Sequence, residues 1–154
     1  MMFAKHSLSE RGATRAGFSL IELLIAIAVM GIILAVAIPA FRNIQRNQRR
    51  KAARISIKNI QQSISFFEVD VGKYPESIND LVRKPSVSDY YDSEMVADWA
   101  EGGYIKGGKV PKDPWKNKFQ YRLTPDAKRP YELYSFGPKG KNASRNEWIR
   151  AWND

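Results

Sequence analysis

An apolar run of 21 residues, from Phe18 to Ile38, constrains this chain more than any other feature. Only Ser19 and Glu22 interrupt its apolar character. A helix rises 1.5 Å per residue, so the run would be ~31 Å long, enough to cross the ~30 Å apolar core of a bilayer. A cleaved secretory signal has a shorter apolar stretch, with small residues at a cut site behind it. The sequence therefore predicts a membrane-spanning helix that the chain retains.

The helix is predicted to continue beyond Pro39. Proline lacks an N–H and crowds the preceding turn, so it ends or kinks a helix, and here we expect a kink. Apolar residues then recur at spacings of four and three, at Ala53, Ile57, Ile60, Ile64, Phe67 and Val71. This spacing places them on one face of a helix that covers a core. Gly72 is a plausible terminator, so one helix is predicted from about Phe18 to Val71.

The residues after the long helix are predicted to form a small globular head. Short helices are expected at about 77–82 and 93–101. Aromatic-rich strands at 118–124 and 131–136 form an antiparallel hairpin, and a third strand is possible at 148–152. The predicted fold class is α+β: a long N-terminal helix packed on a small antiparallel sheet.

The composition includes few of the side chains on which enzymes commonly rely for catalysis. There is no cysteine, and the one histidine is His6, so thiolate and imidazole chemistry are not expected. A membrane-tethered enzyme or binding module would have to use carboxylates such as Asp113 and Glu132, which no recognisable spacing pairs. Asp113, between two prolines, is expected to hydrogen-bond its own loop. We expect no enzymatic activity and no organic cofactor.

The segment from Gly17 to Glu22, GFSLIE, resembles the class III signal of type IV pilins and pseudopilins. Three basic residues precede it: Lys5, Arg11 and Arg15. In that family an inner-membrane prepilin peptidase cuts after the glycine and methylates the new N-terminal amine. The resemblance implies cleavage between Gly17 and Phe18, N-methylation of Phe18, and loss of residues 1–17.

Glu22 needs a partner, because an acid inside a membrane helix costs at least roughly 2.5–3.5 kcal/mol. The resemblance implies that Glu22 meets the N-terminal amine of Phe18, in the same or a neighbouring subunit, while a filament forms. An opposite charge would offset the desolvation and fix the axial register. The alternative is an interfacial glutamate that extends to the headgroups from near the helix end.

The head narrows the resemblance to the major pseudopilins of type II secretion, whose D-x-G-x-Y-P segment is similar to Asp70–Pro75. Further matches follow in order: Gly103-Tyr104-Ile105-Lys106, Pro111-Lys112-Asp113-Pro114-Trp115, Asn117, Tyr121 and Tyr134-Ser135-Phe136-Gly137. We expect the prolines and glycines to set turns. Trp115, Tyr121 and Tyr134 are expected to fill the core.

The resemblance implies a structural subunit of a pseudopilus that drives protein export through the outer membrane. Its implied partners are further copies of itself in a helical filament, minor pseudopilins, prepilin peptidase, an inner-membrane assembly platform and the secretin. The chain divides into a leader (1–17), a transmembrane and filament-core helix (18–39), a stem helix (40–72) and a periplasmic head (73–154). A type IV pilus or competence pilin, for adhesion, motility or DNA uptake, is the alternative; the lack of cysteine counts against it.

The implied topology is a single pass through the bacterial inner membrane, with the head in the periplasm. More basic residues follow the apolar run than precede it, which by the positive-inside rule would place the head in the cytoplasm. The count is set aside, because the processing signal must face the peptidase on the cytoplasmic side.

A basic run follows the apolar helix, with no acid between Glu22 and Glu68. Its members are Arg42, Arg46, Arg49, Arg50, Lys51, Arg54 and Lys58. Contact with anionic lipid or with neighbouring subunits is favoured over a merely solvated helix face. The formal charge of +9 raises nucleic acid as a ligand. The run has no aromatic neighbour beyond Phe41, hence no stacking platform, so nucleic-acid binding is not expected.

The loop that would bind calcium is where this sequence departs most from the family that it resembles. Major pseudopilins usually bind calcium in an aspartate-rich loop after the Tyr-Ser-x-Gly strand, whereas this loop carries Lys139, Lys141 and Arg145. Calcium takes six to eight oxygen ligands, several of them carboxylates. The side chains left to supply such ligands are Asn142, Glu147 and Asp154. We expect cationic side chains and local hydrogen bonds to hold the loop, with weak calcium binding as the alternative.

Overall fold

The computed structural model describes residues 17–152. They separate into two units, with the boundary between Arg42 and Asn43. The first unit contains the N-terminal part of helix α1 (Leu20–Val71), and the second contains the rest of that helix and the head. The leader residues Lys5, His6, Arg11 and Arg15, and also Asp154, lie outside the described residues.

Helix α1 confirms the prediction of one long helix. It passes through Pro39, so the proline does not end it; a kink there stays a prediction. The helix stops where the sequence indicated, because Gly72 takes a left-handed conformation with φ of 79°. The backbone N–H of Gly72 donates to the carbonyl oxygen of Glu68 at 2.9 Å, which closes the last turn.

The head is built of short elements. They are a 3-10 turn (Ile78–Leu81), helix α2 (Ser93–Ala97), strands β1 (Gln120–Leu123) and β2 (Tyr131–Ser135), 3-10 turns at Gly137–Asn142 and Arg145–Glu147, and strand β3 (Ile149–Arg150). The strands form one antiparallel sheet in the order β1-β2-β3. The hairpin, the third strand and both short helices are confirmed.

Helix α2 is shorter than predicted. After it the indole N–H of Trp99 donates to the carbonyl oxygen of Asp80 at 2.8 Å, and the chain turns through Gly102 and Gly103. A side chain at Gly103 would place its Cβ 2.8 Å from the Leu81 carbonyl oxygen, so this close approach requires glycine. The turn ends the helical segment before residue 101.

The stem stripe forms the centre of the core, as predicted. All six stripe residues are buried: Ala53, Ile57, Ile60, Ile64, Phe67 and Val71. They pack in one cluster with Phe119, Tyr131, Leu133 and Ile149 from the sheet region and with Leu81 and Tyr91 from the loops. Burial of each large apolar side chain contributes about 1.5–3 kcal/mol, so the stripe contributes substantially to the stability of this core.

One core assignment is wrong. Trp115 and Tyr121 pack against the core as expected, whereas Tyr134 does not belong to it. Side chains alternate along β2, so Tyr131 and Leu133 face α1 and Tyr134 lies on the outer face. There its ring stacks on Trp148, with ring centres 4.3 Å apart.

Candidate processing and assembly site

The predicted cleavage site precedes the first turn of α1. Gly17 and Phe18 are both exposed, and Phe18 keeps 92% of its surface accessible. A Cβ added at Gly17 would meet nothing within 4 Å. Among the described residues, nothing therefore demands glycine at this position.

Glu22 caps its own helix, a role that the sequence analysis missed. The backbone N–H of Ser19 donates to Glu22 Oε2 at 3.0 Å, and the N–H of Ile21 donates to Ser19 Oγ at 3.4 Å. Together these contacts satisfy two N–H groups that the first turn leaves without partners. The Ser-x-x-Glu spacing of Ser19 and Glu22 was the available signal. The Glu22 carboxylate is thereby held beside the residue that follows Phe18.

The apolar part of α1 is uncovered. Its large side chains between Leu20 and Ile44 are exposed, and the helix is long and apolar enough to cross a membrane. Soluble proteins rarely expose a contiguous apolar surface above a few hundred Å². Such a surface is typical of a helix that a bilayer or neighbouring helices cover.

The D-x-G-x-Y-P segment is held by phenol groups. The hydroxyl of Tyr90 donates to the Tyr74 carbonyl oxygen at 3.0 Å, and that of Tyr121 donates to the Pro75 carbonyl oxygen at 2.6 Å. Burial raises the pKa of Tyr90 and of Tyr121 above the ordinary value of 10, so both phenols stay protonated as donors well beyond neutral pH. Lys73 Nζ donates to the carbonyl oxygen of Tyr90 at 2.9 Å. The motif thus serves the packing of the head.

Asp113 holds its own loop, as predicted. Its side chain is buried, and Oδ1 accepts from the backbone N–H groups of Trp115 at 3.0 Å and Asn117 at 2.8 Å. Asp113 Oδ2 accepts from Ser135 Oγ at 2.6 Å, which ties the loop to the end of β2. Glu132 lies elsewhere, on the outer face, and pairs with Arg122 at 2.8 Å. The two carboxylates therefore form no common site.

The C-terminal loop is closed by a lysine. Lys139 Nζ lies 2.6 Å from Glu147 Oε1, while Glu147 Oε2 accepts from Ser144 Oγ at 2.8 Å and from the Ser144 N–H at 3.1 Å. The bond from Lys139 and those from Ser144 lower the pKa of Glu147 from 4.5 to about 2. Both oxygens of this carboxylate are therefore occupied by donors from within the loop.

This arrangement does not fit calcium. An ammonium group lies against Glu147, and Lys141 and Arg145 add further positive charge. Asn142 is exposed at the end of a 3-10 turn. Across residues 17–152 no three histidine, cysteine, aspartate or glutamate side chains are grouped to hold a metal. Calcium needs several carboxylates, and here the one in the loop already binds a lysine.

Replacing Lys139 with alanine is expected to raise the pKa of Glu147 from about 2 towards its ordinary value of 4.5. Folding lowers this pKa, so the pair stabilises the loop above pH ~4.5 and its contribution disappears as the pH falls towards 2. NMR of the Glu147 side-chain carboxyl carbon against pH measures the change. Lys141→Ala is the matched control and should leave the Glu147 titration where it is. An unchanged titration in Lys139→Ala would contradict the pairing.

Two family models match the chain, and the boundary between them lies close to the boundary between the two structural units. Residues 13–38 match the model of the prokaryotic N-terminal methylation motif. Residues 41–152 match the model of type II secretion system (T2SS) protein G. The chain belongs to the type II secretion protein G family. The family model thus covers nearly all of the stem and head, and the methylation motif covers most of the apolar helix.

Individual relatives agree with this family. The chain is 32% identical to "Type II secretion system core protein G" of Pseudomonas aeruginosa over 130 residues, covering 82% of this chain and 86% of that protein. The major pseudopilin of the type 2 secretion system of enterohaemorrhagic Escherichia coli shares the fold, with a TM-score of 0.58 and 21% identity over 72% of this chain and 92% of that one. A Myxococcus xanthus type IV major pilin is 31% identical, but over only 53% of this chain and 37% of its own length.

Proposed function

We propose that the protein is a repeating structural subunit of a type II secretion pseudopilus, anchored by α1 and assembled through that helix. The observation that carries this proposal is the uncovered apolar surface of α1 between Leu20 and Ile44. The bilayer covers it before assembly. In a filament, the same surface packs against the helices of neighbouring copies, because close helix packing replaces lipid contacts at little cost.

Maturation removes residues 1–17. Prepilin peptidase cuts between Gly17 and Phe18 and methylates the amine of Phe18. The exposure of both residues supports this step, because a protease needs an accessible chain. The open space around Gly17 supports it as well, since a residue without a Cβ lets a protease approach the backbone closely.

Glu22 then sets the register of assembly. Its carboxylate already receives the N–H of Ser19 at 3.0 Å. A free amine on Phe18 adds a positive charge one residue before this contact, within the same subunit. Insertion of the next subunit brings a second Phe18 amine, whose pairing with Glu22 offsets the cost of the buried acid.

The head faces the periplasm, on a single pass through the inner membrane. Its partners are minor pseudopilins, which begin the filament, the inner-membrane platform, which adds subunits, and the secretin, towards which the filament grows. The role is mechanical rather than catalytic. The hydrogen bonds of Asp113 support this, because its carboxylate is used up in holding the head together.

The folded head is expected to be indifferent to calcium, because Lys139 already neutralises Glu147. A head that bound calcium would gain about 2.7 kcal/mol at a hundredfold excess over Kd. Thermal unfolding of the detergent-solubilised protein with calcium and with a chelator should give the same midpoint. A higher midpoint with calcium, or a saturable heat in calorimetry, would contradict this expectation.

Gene deletion in the source bacterium tests the function. Loss of the chain should stop export of folded substrates through the secretin, and re-expression should restore it, while twitching motility and DNA uptake persist. The type IV pilin alternative predicts the reverse pattern. Sheared surface filaments from a strain that overexpresses the chain should contain it as the main component.

A further inference from the structure

A cleft on the head brings together arginines from two distant parts of the chain. It has a volume of about 730 Å³. Arg50 and Arg54 lie one turn apart on α1, and Arg145 and Arg150 lie on either side of the start of β3. Two rings, Trp148 and Trp152, complete its walls. Among the described residues, no acidic side chain lines this arginine cleft.

Several of these groups are held in fixed positions. Arg150 donates to the carbonyl oxygen of Arg145 at 3.0 Å, and its guanidinium carbon lies 5.6 Å from the ring centre of Trp148. The Trp148 ring is stacked in turn on Tyr134. Among the described residues, Arg145 also forms an ion pair with Glu132, at 3.7 Å. The like charges of Arg50, Arg54 and Arg145 around one cleft repel one another, and an anionic group placed between them relieves that repulsion.

The same chain carries a complementary surface, which we name the acidic segment: residues 85–105. It contains five acids and no lysine or arginine. The acids are Asp89, Asp92, Glu94, Asp98 and Glu101, and all five are exposed. Within residues 17–152 none of them forms an ion pair. The five carboxylates therefore face outward.

Buried aromatic residues fix the acidic segment in place. Tyr91 is almost fully buried and its hydroxyl donates to Asp80 Oδ2 at 3.0 Å. The Trp99 indole bonds the Asp80 carbonyl oxygen. Asp92 caps α2 by accepting from the N–H of Met95 at 2.8 Å. A segment held in this way loses little conformational entropy when it binds a partner.

We propose that the arginine cleft of one copy binds the acidic segment of a second copy in the assembled filament. This inference rests on the proposed function, because the filament brings copies of the head close together. Arginine suits the role, since its planar fork forms two parallel hydrogen bonds with a carboxylate. The contact orders neighbouring heads, while α1 holds the filament core.

A single-stranded nucleic acid is the competing ligand. The sequence argument against it was the lack of a stacking platform beside the basic run, yet the fold brings Trp148 and Trp152 next to Arg50 and Arg54. The second copy is favoured, because its acids are already fixed on a rigid surface of matching charge. Anionic lipid is a further competitor for the same arginines.

The chain contains no cysteine, so a maleimide cross-linker reacts only with cysteines that are introduced. Ala97→Cys marks the acidic segment and Asn146→Cys marks the arginine cleft, and both residues are exposed. With both substitutions in one full-length chain, a short bis-maleimide should link assembled subunits into a ladder. Either cysteine alone should give no ladder. Asn142→Cys paired with Ala97→Cys is the control, because Asn142 is exposed but does not line the cleft.

Charge reversal then tests the cause of the contact. Arg54→Glu in the double-cysteine chain should lower the ladder yield about fivefold, and added Glu94→Lys should restore it. Lys109→Glu makes the same change in net charge on an exposed loop outside the cleft and should have no effect.

Three results would overturn the inference. Sheared filaments that contain the double-cysteine subunit but give no ladder would exclude this contact and leave the proposed function intact. A ladder that ignores Arg54→Glu, while Arg54→Glu abolishes binding to a single-stranded oligonucleotide or to phosphatidylglycerol vesicles, would assign the cleft to that other ligand. A wild-type chain that forms no filament would remove the proposed function, and the inference with it.

Discussion

Replacement of Glu22 with glutamine is expected to leave the chain processed but unassembled. The proposed cut after Gly17 lies outside the helix, which begins at Leu20, so trimming should continue. Loss of one partner from a buried ion pair costs about 3–5 kcal/mol, which corresponds to more than a hundredfold loss of assembly. Intact mass measures processing, and recovery of sheared filaments measures assembly.

The glutamine variant separates the two roles of Glu22. Its side-chain carbonyl can still accept from the N–H of Ser19, so the helix cap survives and only the charge is lost. Ser19→Ala is the matched control, because it keeps the charge and removes the hydroxyl that caps Ile21. A lost N-cap costs about 0.5–2 kcal/mol of helix stability, and assembly should continue. Normal filaments with Glu22→Gln and none with Ser19→Ala would mean that Glu22 acts only as a cap.

Replacement of Asp113 with alanine is expected to lower the free energy of unfolding of the head by at least about 3 kcal/mol. Three donors lose their acceptor at once: the N–H groups of Trp115 and Asn117, and the hydroxyl of Ser135. Each buried donor without a partner costs about 1–3 kcal/mol. For a head of this size the midpoint should fall by about 12 °C or more. Thermal unfolding in detergent, followed by tryptophan fluorescence, measures it.

Two further variants test whether the lost hydrogen bonds of Asp113 cause the loss of stability. Asp113→Asn keeps one carbonyl oxygen as an acceptor and should give an intermediate loss. Asp126→Ala removes an exposed aspartate from the hairpin turn and should change stability by no more than about 0.5 kcal/mol. Equal effects of Asp113→Ala and Asp126→Ala would show that the buried network carries no stability.

Periodicity made much of the fold predictable from sequence. The stem stripe repeats over five intervals between Ala53 and Val71, and only a helix places such residues on one face. The end of that helix was predictable because Gly72 takes a left-handed conformation that other residues rarely adopt. The hairpin was predictable because two aromatic-rich segments flank a turn that contains Pro125 and Pro130.

Contacts between distant residues were harder to predict. Tyr134 was assigned to the core on aromatic character alone, although the alternation with Tyr131 and Leu133 puts it on the outer face. The arginine cleft joins Arg54 to Arg150, and nothing local links the two positions. The cap formed by Ser19 and Glu22 is local and could have been found from its spacing.

The intact mass of the membrane-extracted protein, from cells with and without prepilin peptidase, tests processing directly. We expect a chain that lacks residues 1–17 and carries one added methyl group, seen only when the peptidase is active. Gly17→Ala should remain full length in the same cells, although the fold itself has room for a Cβ at this position. A full-length mass for the wild-type chain in every case would contradict both processing and assembly through Glu22, because Phe18 would then have no free amine for Glu22 to pair with.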